Sequence, residues 1–124
     1  MVTKNRLLIV DDDRDITATV SRGLTIKGYK VDAFNDPLLA AKCDPTNYDV
    51  ALLDIRMPRM SGFELARMLW QKSNNLQICF FSAYDIGIDE VRKTLPHLPS
   101  HCFIRKPVAP SELAMHIQTH FEKR

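Results

Sequence analysis

The side chains able to do chemistry together in this sequence are the carboxylates of Asp11, Asp12 and Asp54, the hydroxyl of Ser82 and the ammonium of Lys106. Each stands at or just beyond the end of a short apolar run. Asp11-Asp12 follow Leu7-Leu8-Ile9-Val10, and Asp54 closes Val50-Ala51-Leu52-Leu53. Ser82 follows the run from Leu76 to Phe81, and Lys106 comes shortly after Cys102-Phe103-Ile104. Brought to one rim, three carboxylates and one lysine leave a net negative pocket. Two carboxylates about 4 Å apart repel by roughly 4 kcal/mol at an effective dielectric of 20, so a proton or a cation must neutralise such a site. An all-oxygen donor set on a small rim suits a hard cation that keeps several waters, Mg2+ rather than Ca2+. A carboxylate beside that cation, with a hydroxyl and an ammonium at hand, is equipped to attack a phosphoryl group in line while the cation and Lys106 neutralise the equatorial oxygens.

The elements that must position these groups alternate along the chain. After the first apolar run, Ile16, Val20 and Leu24 recur at helical spacing, and Gly28 stops that helix. Tyr29 to Phe34 reads as a second strand, and Asp36-Pro37 starts a second helix, a cap followed by proline at the first helical position. Asp49 to Asp54 is a third strand. Ser61-Gly62-Phe63-Glu64 forms a capping box for a third helix carrying Leu65, Ala66 and Leu69 on one face. Leu76 to Phe81 is a fourth strand, and Ile88, Val91 and Leu95 mark a fourth helix. Cys102 to Ile104 is a fifth strand, and Pro110 opens a last helix with Leu113, Ile117 and Phe121 in a stripe. Continuous apolar strands followed by helices indicate a parallel sheet covered on both faces. Right-handed crossovers make it an open, doubly wound α/β sheet, in which ligands bind beyond the carboxyl ends of the strands. The chemically able residues stand at those ends.

Length and composition agree with one such domain over residues 1–124. The chain has 124 residues, 45% apolar and 26% charged, enough for a core without staples. A formal net charge of +2 is too small for a dedicated nucleic-acid or membrane-surface protein. The apolar run after the basic start is too short for a signal-peptide core or a membrane span. Three cysteines, Cys43, Cys79 and Cys102, are an odd number, and the last two lie in apolar runs. They read as free thiols in a reducing compartment, so a cytoplasmic protein is expected.

Together, Asp11-Asp12, the segment Leu53-Asp54-Ile55-Arg56-Met57-Pro58 with Met60-Ser61-Gly62, Ser82-Ala83, and Lys106-Pro107 resemble the receiver domain of two-component response regulators. The resemblance runs along essentially the whole chain, in order and at the family's spacings. It implies a flavodoxin-like sheet of five parallel strands in the order 2-1-3-4-5, flanked by five helices. It implies that Asp54 is the phosphorylated aspartate, and that Asp12, Asp54 and the backbone carbonyl of Arg56 bind Mg2+ directly, with Asp11 acting mainly through a metal-bound water. Ser82 would hydrogen-bond the phosphoryl oxygen and Lys106 would pair with it. Phe103 stands where the family keeps its switch aromatic, and Lys106-Pro107 where it frequently has a cis peptide. The implied partners are a sensor histidine kinase or phosphotransfer protein as donor and an effector protein or output domain downstream, with a phosphorylation-dependent homodimer left open. The sequence carries no output domain, so neither direct nucleic-acid binding nor membrane association is expected. Such a protein is a signalling switch that catalyses only its own phosphorylation and dephosphorylation.

Some residues depart from the family's pattern. Arg56 and Tyr84, each two residues past a site residue, are large, and are expected to hinder the hydrolytic water and lengthen the phosphorylated lifetime. Leu95-Pro96-His97-Leu98-Pro99-Ser100-His101 replaces a small turn on the family's output face, and its prolines should stiffen it. Ala109 is a poor cap for the last helix.

Other readings fit less well. Asp11-x-Asp13-x-Asp15 resembles a calcium loop, but Ile16 and Arg22 stand where glycine and glutamate are needed. Asp13-Arg14-Asp15-Ile16-Thr17 resembles the nucleophile motif of haloacid-dehalogenase-type phosphatases, but lies two residues too far past the strand. His116 and His120 are four apart, yet no complete zinc ligand set accompanies them, and partly buried packing is expected for both. A pseudo-receiver, a binding module that is never phosphorylated, is the alternative from a different class. The intact set of three aspartates, serine and lysine argues against it.

Overall fold

The computed structural model describes residues 6–83, 93 and 103–118. In chain order the elements are β1 (Arg6–Val10), α1 (Arg14–Ile26), β2 (Lys30–Phe34), α2 (Pro37–Ala40), a 3-10 turn (Pro45–Asn47), β3 (Val50–Asp54), α3 (Gly62–Lys72), β4 (Gln77–Ser82), β5 (Phe103–Arg105) and α4 (Pro110–Ile117). The five strands form one sheet in the order β2-β1-β3-β4-β5, every neighbouring pair parallel. No described helix is long and apolar enough to cross a membrane.

Strand alternation sorts the core into two layers. Leu8, Val10, Ala51, Leu53, Ile78 and Phe80 face α3 through Phe63, Leu65, Ala66 and Leu69. Leu7, Ile9, Val50, Leu52, Cys79 and Phe81 face the other way, onto Val20 and Leu24 of α1 and Leu113, Ala114 and Ile117 of α4. The central strands β1 and β3 are therefore buried on both faces, which is why their sequences are unbroken apolar runs. α1 and α4 approach closely: a Cβ placed on Gly23 would fall 2.1 Å from Cβ of Pro110.

The helix starts are chemically defined. Asp13 caps α1 by accepting from the amides of Asp15 and Ile16. Asp36 caps α2 with Pro37 in its first turn, and Ser61 with Glu64 forms the full capping box of α3. Ala109 leaves α4 without a side-chain cap, as its side chain requires.

Several expectations need correction. β2 begins at Lys30, one residue after Tyr29, and is half-exposed because it is an edge strand with a single neighbour. α2 starts at Asp36-Pro37 as read, is one turn long and ends at Ala40, and a separate 3-10 turn begins at Pro45. His116 is exposed rather than partly buried; it flanks the buried stripe of Leu113 and Ile117 without entering it. Cys79 is buried, as expected, and Cys43 is half-buried. The expected helix marked by Ile88, Val91 and Leu95 lies outside the described residues, apart from the exposed helical Lys93. So four helices are described against the five expected. Tyr84, the segment from Leu95 to Cys102, His120 and Phe121 also lie outside the described residues.

Candidate functional site

Sheet register determines which side chains can meet. Val10 pairs with Leu53, so Asp11 leaves β1 at the level of Asp54. Asp54 pairs with Phe81 and Phe81 with Ile104. Ser82 therefore stands one residue further along, and Lys106 two, or about 7 Å. A long lysine side chain spans that distance back to the carboxylates. Lys106 Nζ lies 2.5 Å from Asp11 Oδ2 and 3.3 Å from Asp54 Oδ1, and 4.7 Å from the centre of the Phe81 ring. The Lys106 backbone is tied to the fourth strand by its N–H donating to the Ser82 carbonyl at 2.8 Å, and Lys106-Pro107 is cis. The expected cis peptide is thus observed.

Asp11, Asp54 and Ser82 are only 1%, 6% and 4% exposed, whereas Asp12 faces solvent. Asp11 Oδ1 accepts from the Asp13 amide at 2.9 Å, and Asp54 Oδ1 accepts from the Ile55 amide at 3.0 Å. Burial, and then the negative charge of Asp11, push the Asp54 carboxyl up from its ordinary 3.8 to about 6, against the opposing pull of Lys106. Asp54 is therefore the group on which the excess negative charge of the pocket falls.

One carboxylate oxygen from each of Asp11, Asp12 and Asp54 can be chosen so that all lie within 4.8 Å of one another. Three carboxylates beside one ammonium leave the cluster net negative. The donors are all oxygen, and one member opens to water. That set fits a hard divalent cation of the Mg2+ class, which keeps part of its water shell.

The loop after β3 is held tightly against the site. Gly62 donates its N–H to the Ile55 carbonyl at 2.8 Å. A Cβ at Gly62 would fall 2.1 Å from the Asp54 carbonyl oxygen, so a side chain there would displace Asp54. Arg56, exposed, follows two residues after Asp54 on that loop. Arg59, at φ 73°, reaches Asp36 at 3.5 Å. Phe103 stands apart from the acidic cluster, half-buried, and stacks on Phe80 with ring centres 5.4 Å apart.

The candidates Asp11, Asp12, Asp54, Ser82 and Lys106 thus come to one rim, with Arg56 beside it and Phe103 one layer below. Sequence reasoning missed Asn35 and Thr17, which hydrogen-bond to each other behind Asp11. It also missed the close packing of Gly62 on Asp54. Pro58 in the loop after β3 and a glycine, Gly62, at the first position of α3 hint at the second. No local signal announces the first.

The family model of the response regulator receiver domain matches residues 7–118. The transcriptional regulatory protein PrrA of Mycobacterium tuberculosis is 30% identical over 99% of this chain and 52% of its own length. The chain thus spans about half the length of that curated relative. The response regulator receiver domain protein of Methanospirillum hungatei, described as CheY-like, superposes with a TM-score of 0.80 at 26% identity, covering 94% of this chain and 93% of that one. The response regulator TrrA of Thermotoga maritima, solved in complex with Mg2+ and BeF, superposes with a TM-score of 0.73 at 28% identity, covering 93% and 97%.

Proposed function

This chain belongs to the response regulator receiver domain family, and from that membership we propose that residues 1–124 form a phosphorylation-dependent signalling switch whose phosphoacceptor is Asp54. The observation that carries the reading is the convergence of Asp54, Asp11 and Lys106 from three strand ends, with the lysine within 3.3 Å of Asp54. A solvated lysine or a mere helix cap has no reason to be there.

In this reading Asp12, Asp54 and the Arg56 carbonyl would hold Mg2+, with Asp11 acting on it mainly through water. When bound, Mg2+ supplies Lewis-acid neutralisation of the phosphoryl oxygens. The donor is a phosphohistidine of a sensor kinase or phosphotransfer protein. An Asp54 carboxylate oxygen attacks phosphorus, the O–P bond forms as the P–N bond breaks, and the ring nitrogen takes a proton from water. Lys106 neutralises one equatorial oxygen of the group in flight. Ser82 donates its hydroxyl to another once the acyl phosphate is formed. Hydrolysis later adds water at phosphorus and returns carboxylate and inorganic phosphate.

The signal is the added charge and its acceptor oxygens. Lys106 exchanges its contact with Asp11 for the phosphoryl group, Ser82 follows, and Phe103 changes rotamer against Phe80. The surface built on β5 and the last helix then engages an effector protein or an output domain. The protein acts in the cytoplasm and turns over no external metabolite.

Intact-mass spectrometry after incubation with acetyl phosphate and Mg2+ tests this. One phosphoryl adduct is expected, lost in Asp54→Asn and in EDTA. A folded, Mg2+-binding protein that takes no phosphoryl group from acetyl phosphate or from a phosphohistidine protein overturns the reading in favour of a pseudo-receiver.

A further inference from the structure

Behind the acidic cluster lies a hydrogen-bond network that takes no part in the chemistry described above. Asn35, the residue after β2, donates from Nδ2 to the Asp11 carbonyl oxygen at 2.9 Å and to Thr17 Oγ1 at 2.8 Å. Thr17 is 4% exposed, and its hydroxyl donates to the Arg14 carbonyl at 3.1 Å. The Thr17 proton is therefore committed, and its oxygen can only accept. A carbonyl oxygen can also only accept. Both partners thus demand donors, which determines the orientation of the Asn35 amide.

The carbonyl that Asn35 holds belongs to the peptide joining Asp11 to Asp12. The other side of Asp11 is also tied to β2, its N–H donating to the Phe34 carbonyl at 3.1 Å. From this one peptide a buried carboxylate and an exposed one depart, and both belong to the cluster with Asp54. Rotation of that peptide plane would move the two carboxylates relative to each other. Mg2+ demands near-ideal octahedral geometry, so such rotation weakens its binding before it unfolds anything.

We propose that Asn35 is a positioning residue for the metal site, holding the Asp11–Asp12 peptide in the orientation that presents both carboxylates to the cation, with Thr17 as its anchor on α1. The role rests on the proposed Mg2+ site. Asn35 touches neither the cation nor the reacting atoms. It acts through a backbone carbonyl, unlike residues that hydrogen-bond a ligating side chain directly.

The test is Mg2+ titration calorimetry on the parent chain, Asn35→Ala and Thr17→Val, together with the 15N shift of the Asp12 amide in metal-free protein. Loss of a supporting partner behind a metal ligand typically costs about 10–100-fold in affinity. Asn35→Ala should weaken Mg2+ binding at least about tenfold, and Thr17→Val should move it in the same direction. The Asp12 amide, which shares its peptide with the released carbonyl, should shift before any metal is added. A merely structural asparagine would lower the unfolding midpoint and leave the affinity of the folded protein unchanged. If Asn35→Ala does not fold, Asn35→Leu, which keeps the branched outline but has none of the amide's hydrogen-bonding groups, carries the same measurement. A folded variant that binds Mg2+ as the parent does overturns the role of Asn35 alone. A parent chain that binds no Mg2+ overturns the metal site and this role with it.

Discussion

Replacing Asp54, the proposed phosphoacceptor, should stabilise the metal-free protein at neutral pH. Asp54 has 9% of its side chain exposed. Its carboxyl is raised from 3.8 to about 6, by burial first and by Asp11 second, with Lys106 opposing. Between those two values the folded protein holds a proton that the unfolded chain has released, so stability rises as pH falls through that window. Below about pH 4 both states are protonated and the cost is absent. Above about pH 6 neither is, and the folded state carries the full cost of the buried charge. A tenfold change in proton affinity is worth about 1.4 kcal/mol, so the distance from 3.8 to about 6 corresponds to about 3 kcal/mol. Asp54→Asn keeps the shape of the neutral acid and leaves Lys106 its contact with Asp11. In EDTA it should be about 3 kcal/mol more stable than the parent at pH 8, with the gain shrinking to near zero by about pH 4. Urea unfolding at a series of pH values reads this through Trp70, the single tryptophan, whose indole N–H donates to the Leu76 carbonyl at 2.8 Å. Mg2+ at 100 times its Kd should restore about 2.7 kcal/mol to the parent and little to the variant. A variant no more stable than the parent at pH 8, or a gain that does not change with pH, would refute the electrostatic account.

Lys106→Met removes the cation between two buried carboxylates and should cost about 3 kcal/mol at pH 8; the loss should diminish on acidification, and a pH-independent loss would mean that packing dominates. Gly23→Ala places a methyl 2.1 Å from Pro110 Cβ and should destabilise by about 1–3 kcal/mol in thermal unfolding; no change in midpoint would show that α1 and α4 separate freely. Ala109→Asp supplies the cap that α4 lacks and should add about 1 kcal/mol, read in the same assay. Arg56→Ala opens the loop beside Asp54 and should speed loss of the phosphoryl group, followed by mass spectrometry after removal of the donor; an unchanged rate would separate Arg56 from the phosphorylated lifetime.

Much of this molecule is written locally, and such features could be read without the fold. The caps Asp13, Asp36 and Ser61 with Glu64 act within three residues of themselves, and the bare Ala109 is equally local. The buried strands announce themselves because both faces of β1 and β3 are covered, which leaves no polar position in their interiors. In a parallel sheet all carboxyl ends share one edge, so Asp11, Asp54, Ser82 and Lys106 could be assigned to one rim before any coordinate was known. The expectations that failed involved balances a sequence does not display. β2 begins one residue after Tyr29, at the edge of the sheet, and His116 stays exposed beside the buried stripe of Leu113 and Ile117.

What only the tertiary structure decided is the pairing inside that rim and the supports behind it. Lys106 is closer to Asp11, 95 residues away, than to Asp54, a choice made by the stagger of the strands and the reach of one side chain. Gly62 is required by its approach to the Asp54 carbonyl, and Gly23 by Pro110. Asn35 reaches Asp11 across 24 residues and Thr17 across 18, with nothing in its own neighbourhood to mark it. Residue type and local spacing carry information about contacts within a turn or along a strand. The approach of two backbones, or of an amide to a distant carbonyl, exists only once the sheet has formed.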